Sequence, residues 1–444
     1  MADWEGIKRF GKLQARIYSE KLKGTARIAG DESSWTRKRD MPLGDMLACI
    51  LGRKALSATM EIRQYFQMAD KVEQTVSKQD YLKQRRKLNP EVFKVLNREY
   101  LRDYYETDEA KLWNGYLVLA VDGSRVEIPN SEENRKTYGE SENQYGKAVA
   151  RANFSGLYDV YNRFFLDIGI HHFTSSEKEE GKEHIKAIRQ IVGNRPVLLI
   201  FDRNYVSLEF INYLEKAGVN YLIRLHKRNY KAEVDGMGSR DEWVELQHTK
   251  NRLRNLKEEA LKRAAELELQ GSTRARIVKA RFGFDEDGAL ITNLPKSIGA
   301  EAIRRLYRKR WEIEKKYHTL KNKMKFESVT GKASIYVEQD FWAQALVFNM
   351  THDLITIAER KAVKRAKKKG LRYEVRINEN IAIGLFKEQC IRLILEEDNV
   401  KKDVMFRGLM ADMEKNIVPV RESKSAHRKW NYFNKYKCNQ KPSF

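Results

Sequence analysis

The sequence predicts a mixed α/β protein in which one sheet lies between helical regions at either end of the chain. Three observations lead there. Two short apolar runs, "YLVLAVDG" at 116–123 and "PVLLIFDRNY" at 196–205, each end in an aspartate and open into a loop. Between them "ARANFSGLYDVYN" and "RFFLDIGIHH", at 150–172, alternate or run apolar as an antiparallel pair does. Before about residue 110 and after Phe341 the apolar spacing becomes helical.

Taken in order, the first region holds "PLGDMLACIL" at 42–51, apolar at helical spacing. "NPEVFKVLNREYLRDYY" follows at 89–105, with Asn89 as N-cap and Pro90 in the first turn. The sheet region reads as three strands, a helix over Glu177 to Val192, a strand, a helix near 207–217, and "YLIRL" at 221–225 as the fifth strand. That order predicts a mixed five-stranded sheet. Residues 227–298 interrupt it with strand-like pieces ("EWVEL", "ARIVKARF", "ALITNLP") and a charged helix near 250–268, and are read as an insertion. The domain expectation is a helical region over 1–108, a core over 109–350 containing the insertion, and a helical basic region over 351–444. That last region carries "RKAVKRAKKKG" at 360–370 and the tail "HRKWNYFNKYK".

Charge narrows the partners. With 85 Lys and Arg against 62 Asp and Glu the net charge is +23, a field that attracts polyanions. Nucleic acid is the expected partner, and cytoplasm or nucleoid the expected location. The longest apolar runs fall far short of a membrane span. Cys49, Cys390 and Cys438 lie too far apart in sequence for a zinc motif or a disulfide framework.

The stretch "LYRKRWEIEKKYHTLKNKMK" at 306–325 carries the most chemical information. At about 100° per residue, Tyr307, Arg310, Glu314 and Lys321 fall in a stripe roughly 60° wide on one helix face. Leu306, Ile313, Tyr317 and Leu320 form an apolar face beside it, which leaves Glu314 at the border of the buried region. Asp122 and Asp202 occupy equivalent strand ends, where ligands bind in open α/β sheets. If their strands lie side by side and parallel, the two carboxylates meet. His171 and His172 are read as structural histidines, and Asp159 and Asp167 as facing solvent or a neighbouring loop.

The spacing Tyr-x2-Arg-x3-Glu-x6-Lys resembles the YREK signature of bacterial insertion-sequence DDE transposases of the IS-four family, which have a ribonuclease H-like core. "VDGSRVEIPNS", "RANFSGLYDVYN", "FDRNY" and "TNLP" match in the same order, and the resemblance covers about residues 110–350. It implies Asp122, Asp202 and Glu314 as catalytic carboxylates and metal ligands, and Tyr307, Arg310 and Lys321 as DNA-phosphate contacts. Two departures stand: Ser124 replaces the family's frequent Thr, and neither Trp243 nor Trp311 matches the aromatic that holds a flipped base in some members.

The implied function is a transposase that cuts at transposon ends and transfers a 3′ hydroxyl into target DNA. Mg²⁺ or Mn²⁺, as two ions, is the implied cofactor, since clustered carboxylates need a compensating cation and hard ions suit oxygen ligands. Double-stranded DNA and a second copy of the chain in a synaptic dimer are the implied partners. Two other readings remain open: a metal-dependent nuclease without strand transfer, and a non-catalytic DNA-binding regulator. The intact carboxylate set counts against the regulator.

Overall fold

The computed structural model describes residues 2–36, 41–142, 145–253, 262, 271–282 and 286–421. The chain forms two compact units interleaved in sequence, one from 1–104, 126–152 and 317–444, the other from 105–125 and 153–316.

Among the described residues nine strands form the main sheet: β1 (Leu117–Glu127), β2 (Glu140–Glu142), β3 (Ala148–Asp159), β4 (Phe165–His172), β5 (Val197–Phe201), β6 (Asn220–Leu225), β7 (Asp241–Gln247), β8 (Ser272–Phe282) and β9 (Glu286–Thr292). The order is β2-β3-β1-β5-β6-β9-β8-β7, and β4 also pairs with β3. β1, β5 and β6 are parallel neighbours, while β9, β8 and β7 continue antiparallel. The five expected strands are therefore present as β4-β3-β1-β5-β6, but the sheet does not stop at five. The three strands of the insertion extend it beyond β6, through pairs from Leu222–Thr292 to Leu225–Ala289. Without them β6 would present an unpaired row of backbone groups. Of the charged helix near 250–268, only Lys250–Leu253 lies fully among the described residues as a helix.

Residues Leu117 to Val121 and Val197 to Phe201 are buried throughout, as expected for parallel strands covered on both faces. Each such side chain contributes about 1.5–3 kcal/mol on burial. The helix Glu177–Val192 is fixed by polar contacts as well as by apolar packing. His184 lies 2.9 Å from Ser155 Oγ on β3 and 2.7 Å from Asp167 on β4. Asn153 of β3 donates to both oxygens of Glu180, and Lys182 pairs with Glu209 at 2.7 Å.

Asp159 is fully buried, against the expectation from alternation. It closes the turn after β3 by accepting from Tyr161 N, Asn162 N and the Tyr105 hydroxyl, the short-range bonding that suits aspartate to turns. Asp167 likewise engages His184 rather than a loop. In the insertion, the fully buried Arg276 pairs with Asp241 and donates to the carbonyls of Leu294, Pro295 and Ile298. This fixes the segment that leads into the helix Ala300–Tyr307.

The other unit is largely helical. Asn89 accepts from Glu91 N at 3.0 Å and so caps the helix Glu91–Tyr105. The 35-residue helix Ser334–Lys368 runs through the core of this unit. Three of its buried polar residues, Gln339, Asp340 and Asp353, find partners in the first hundred residues. Arg85 meets Asp340 at 2.6 Å, Arg9 grips Asp353 with two bonds, and the Tyr100 hydroxyl donates to Asp353 at 2.7 Å. The basic run at 360–370 lies largely at the carboxyl end of this long helix, whereas the tail at 427–437 lies outside the described residues.

Candidate active site

β1 and β5 pair in parallel from Leu117–Val197 to Ala120–Ile200. Asp122 and Asp202 each stand two residues beyond that last pair, so the sheet brings the two aspartates level at adjacent strand ends. Asp122 lies within β1 and takes a bond from Gly123 N at 2.9 Å. Asp202 precedes the 3-10 turn Arg203–Tyr205, whose Tyr205 N bonds back to the Asp202 carbonyl at 3.2 Å.

The segment around Glu314 is not the uniform α-helix that the stripe assumed. The helix Ala300–Tyr307 passes into a 3-10 turn at Arg308–Arg310, resumes over Trp311–His318, and widens into a π turn at Thr319–Lys323. A constant 100° step therefore fails at two places, once by tightening and once by widening. The apolar face persists, with Leu306, Ile313, Tyr317 and Leu320 all buried. Glu314 is half-buried at its edge, with a side-chain exposure of 36%.

Arg310 joins these elements. Its guanidinium donates to Glu314 at 2.6 Å and reaches Asp122 at 3.3 Å, and it packs 4.8 Å from the centroid of the Trp311 ring. Burial raises the Asp122 carboxyl to a pKa of about 6. Arg310 and the Gly123 N–H oppose the rise, while the charges of Glu314 and Asp202 add to it. The electrostatics thus couple all three carboxylates.

The remaining stripe residues separate. Tyr307 is buried, and its hydroxyl has no hydrogen-bond partner among the described residues. Its ring meets Phe282 edge-on at 5.7 Å, with Arg224 4.2 Å from the centroid of the same Phe282 ring. Burial raises the phenol pKa, opposed by the nearby Arg310 charge. Lys321 lies in the π turn and belongs to the other unit. There burial lowers its pKa, against the charges of Glu327 and Glu127. His172 contacts Thr174 at 2.8 Å, and His171 lies 3.9 Å from Glu183.

Among the described residues no three His, Cys, Asp or Glu side chains stand close enough together to hold an ion as they are. The donor set nevertheless fits a hard divalent cation. Asp122, Asp202 and Glu314 offer only oxygen, they repel one another at Asp122, and a cationic group, Arg310, already bridges two of them.

Glu177, Asn204 and Tyr205 also line this region and were not singled out from sequence. Glu177 lies beside Gly123, within 3.7 Å of where a Cβ there would sit, and Asn204 is near enough to oppose the rise of its pKa. The sequence clue to Asn204 and Tyr205 is their place in "FDRNY"; Glu177 reads simply as an acid opening a helix.

Comparisons with known proteins bear on the same part of the chain. The family model described as "Transposase DDE domain" matches residues 113–350. The transposase InsG for insertion sequence element IS4 of Escherichia coli (strain K12) is 23% identical over 333 residues, covering 73% of this chain and 72% of that protein. A solved structure of the piggyBac transposase synaptic complex with hairpin DNA aligns with a TM-score of 0.42 and 9% identity, over 95% of this chain and 87% of that one. Because the family match spans more than half of the sequence and contains Asp122, Asp202 and Glu314, the chain belongs to the transposase DDE domain family.

Proposed function

We propose that this protein is a DNA transposase that cleaves DNA at the ends of its own element and transfers the exposed 3′ hydroxyl into target DNA. The observation that carries the reading is Arg310 bridging Asp122 and Glu314, with Asp202 level with Asp122 on the neighbouring parallel strand. The strand order β4-β3-β1-β5-β6 supports a ribonuclease H-like core. A net charge of +23 supports a DNA partner.

In this reading Asp122, Asp202 and Glu314 hold Mg²⁺ or Mn²⁺, probed as a two-ion site. Bound there, the ions would activate the attacking oxygen and stabilise the leaving one during in-line displacement at phosphorus. The chain's own residues do the rest. Asp122 and Asp202, fixed by strand pairing, set the direction from which a phosphodiester is approached. Arg310 offsets the repulsion between Asp122 and Glu314 and offers a planar donor set to phosphate oxygens. Tyr307 walls the site through its ring, and Lys321 contacts DNA from its own unit. We assign recognition of the element's ends to the helical region 1–108 and dimer assembly to 351–444.

The test incubates the purified protein with Mg²⁺ and DNA carrying the ends that flank its gene, and resolves the products. Cut ends joined to target DNA support the reading, and Asp202→Ala should abolish both steps. Cleavage without joining would favour the nuclease, binding without cleavage the regulator, and undiminished cleavage in EDTA would remove the metal from the scheme.

A further inference from the structure

Glu177 occupies the first turn of the helix Glu177–Val192, where an acid favours the helix dipole and needs no other explanation. Its surroundings ask for more. Farther along the helix, Glu180, Lys182 and His184 are buried and spend their polar atoms on Asn153, Glu209, and Ser155 with Asp167. These contacts fix the register of the helix and turn Glu177 toward the strand ends. Its Cγ and Oε1 lie 3.7 Å from the Cβ position of Gly123, the residue after Asp122. Asn204, two residues after Asp202, lies near enough to its carboxylate to oppose the rise of its pKa. Glu177 is thus placed between the two candidate ligands.

A second observation points to a ligand there. The Tyr205 hydroxyl is fully buried and has no hydrogen-bond partner among the described residues. The carboxylates whose charges act on it are Asp122, Glu177, Glu180 and Asp202. A buried hydroxyl left unpaired among four acids is costly unless something else enters the site.

We propose that Glu177 is a fourth carboxylate of the site and contributes to holding the divalent cation alongside Asp122 and Asp202. This rests on the reading that those residues bind a cation. Mg²⁺ keeps several of its waters when bound to protein, so a carboxylate contributes without touching the ion.

The test compares wild type with Glu177→Gln, Asn204→Ala and Asp202→Ala by titrating Mn²⁺ into each protein and following the free-ion signal by electron paramagnetic resonance. The Mg²⁺ dependence of end cleavage is measured in parallel. Glu177→Gln should raise the Mn²⁺ dissociation constant about 10-fold or more, as loss of a supporting group does at metal sites. The Mg²⁺ needed for half-maximal cleavage should rise with it, and the maximal rate should return at saturating metal. Asn204→Ala, on an exposed residue outside the helix, should shift both in the same direction by less, and provides the test if Glu177→Gln melts. Wild-type Mn²⁺ affinity in Glu177→Gln, with affinity lost in Asp202→Ala, overturns the role of Glu177 and leaves the active-site reading standing. Full affinity in Asp202→Ala, or no binding by wild type, overturns that reading and this inference together.

Discussion

Arg310 and Glu314 are joined at 2.6 Å across one turn, and the same guanidinium reaches Asp122 at 3.3 Å. One cation therefore holds together an acid from a helix and an acid from a strand far away in sequence. The two residues should differ sharply on substitution. Glu314→Gln preserves size and helix propensity and removes only charge. It should leave binding to element ends intact and reduce cleavage about a thousandfold, the effect of losing roughly 4 kcal/mol of transition-state stabilisation. Arg310→Ala should weaken both binding and cleavage, because it removes a phosphate donor and releases two carboxylates to repel each other. Gel shift and cleavage on the same DNA separate the two cases, and wild-type cleavage by Glu314→Gln would end the catalytic assignment.

Tyr307→Phe tests the wall of the site. Its hydroxyl is buried and lacks a partner among the described residues, while its ring packs on Phe282. Removing the hydroxyl should leave stability within about 1 kcal/mol of wild type or slightly above it, and should leave end binding unchanged. Tyr307→Ala should cost about 3–5 kcal/mol through loss of the ring. Urea denaturation of both variants measures the difference. Weaker end binding by Tyr307→Phe would show that the hydroxyl turns outward to DNA.

Asp340→Asn should be severe. Asp340 is fully buried, pairs with Arg85 at 2.6 Å and lies 3.3 Å from Arg53. Removing its charge leaves two buried arginines uncompensated, for a loss of about 3–5 kcal/mol, readable by denaturant unfolding. The same contact means that end recognition is better tested by point substitution than by deleting residues 1–105. Deletion would leave Asp340 without Arg85 and Asp353 without Arg9 and Tyr100.

The fold was legible where a single segment determines its own state. The apolar runs ending at Asp122 and Asp202, the helix Glu177–Val192 and the cap at Asn89 all follow from local pattern. What escaped depends on contacts distant in sequence. Asp159 follows strand alternation outward until Tyr105, from another segment, closes over it. The break in the stripe at Arg308–Arg310 and the widening at Thr319–Lys323 change the helix phase without any Pro or Gly to announce it. Glu177 gains meaning only from Gly123 and Asn204, which the sheet brings to it.

Lys387 gives a pH dependence of stability. It is fully buried, and its amine donates to the carbonyls of Leu51 and Arg53 at 3.2 and 2.8 Å. Burial lowers its pKa to about 7, modulated by Cys390, Arg53, Glu61 and Asp340. The unfolded chain titrates this amine near the ordinary lysine value of about 10.4. Between those two values the unfolded state binds more protons, so this lysine makes stability rise with pH from about 7 toward 10.4 and contributes no slope below 7. The component should vanish in Lys387→Met. Melting temperatures measured from pH 6 to 10 on both proteins would show it, and parallel curves would refute it.

The interleaving of the two units has a consequence in time. On a ribosome adding about 5–20 residues per second, Arg85 emerges roughly 13–50 s before Asp340, which lies 255 positions later. Arg9 waits longer still for Asp353. By the end of that interval, before Asp340 emerges, the unit made of 105–125 and 153–316, with Asp122, Asp202 and Glu314 aboard, is already synthesised in full. A nascent chain thus carries its whole set of candidate catalytic acids while the early arginines of its other unit still lack their buried counter-ions. A transcript cut short after Glu314 would yield a product with the acids in place and those arginines permanently unmatched.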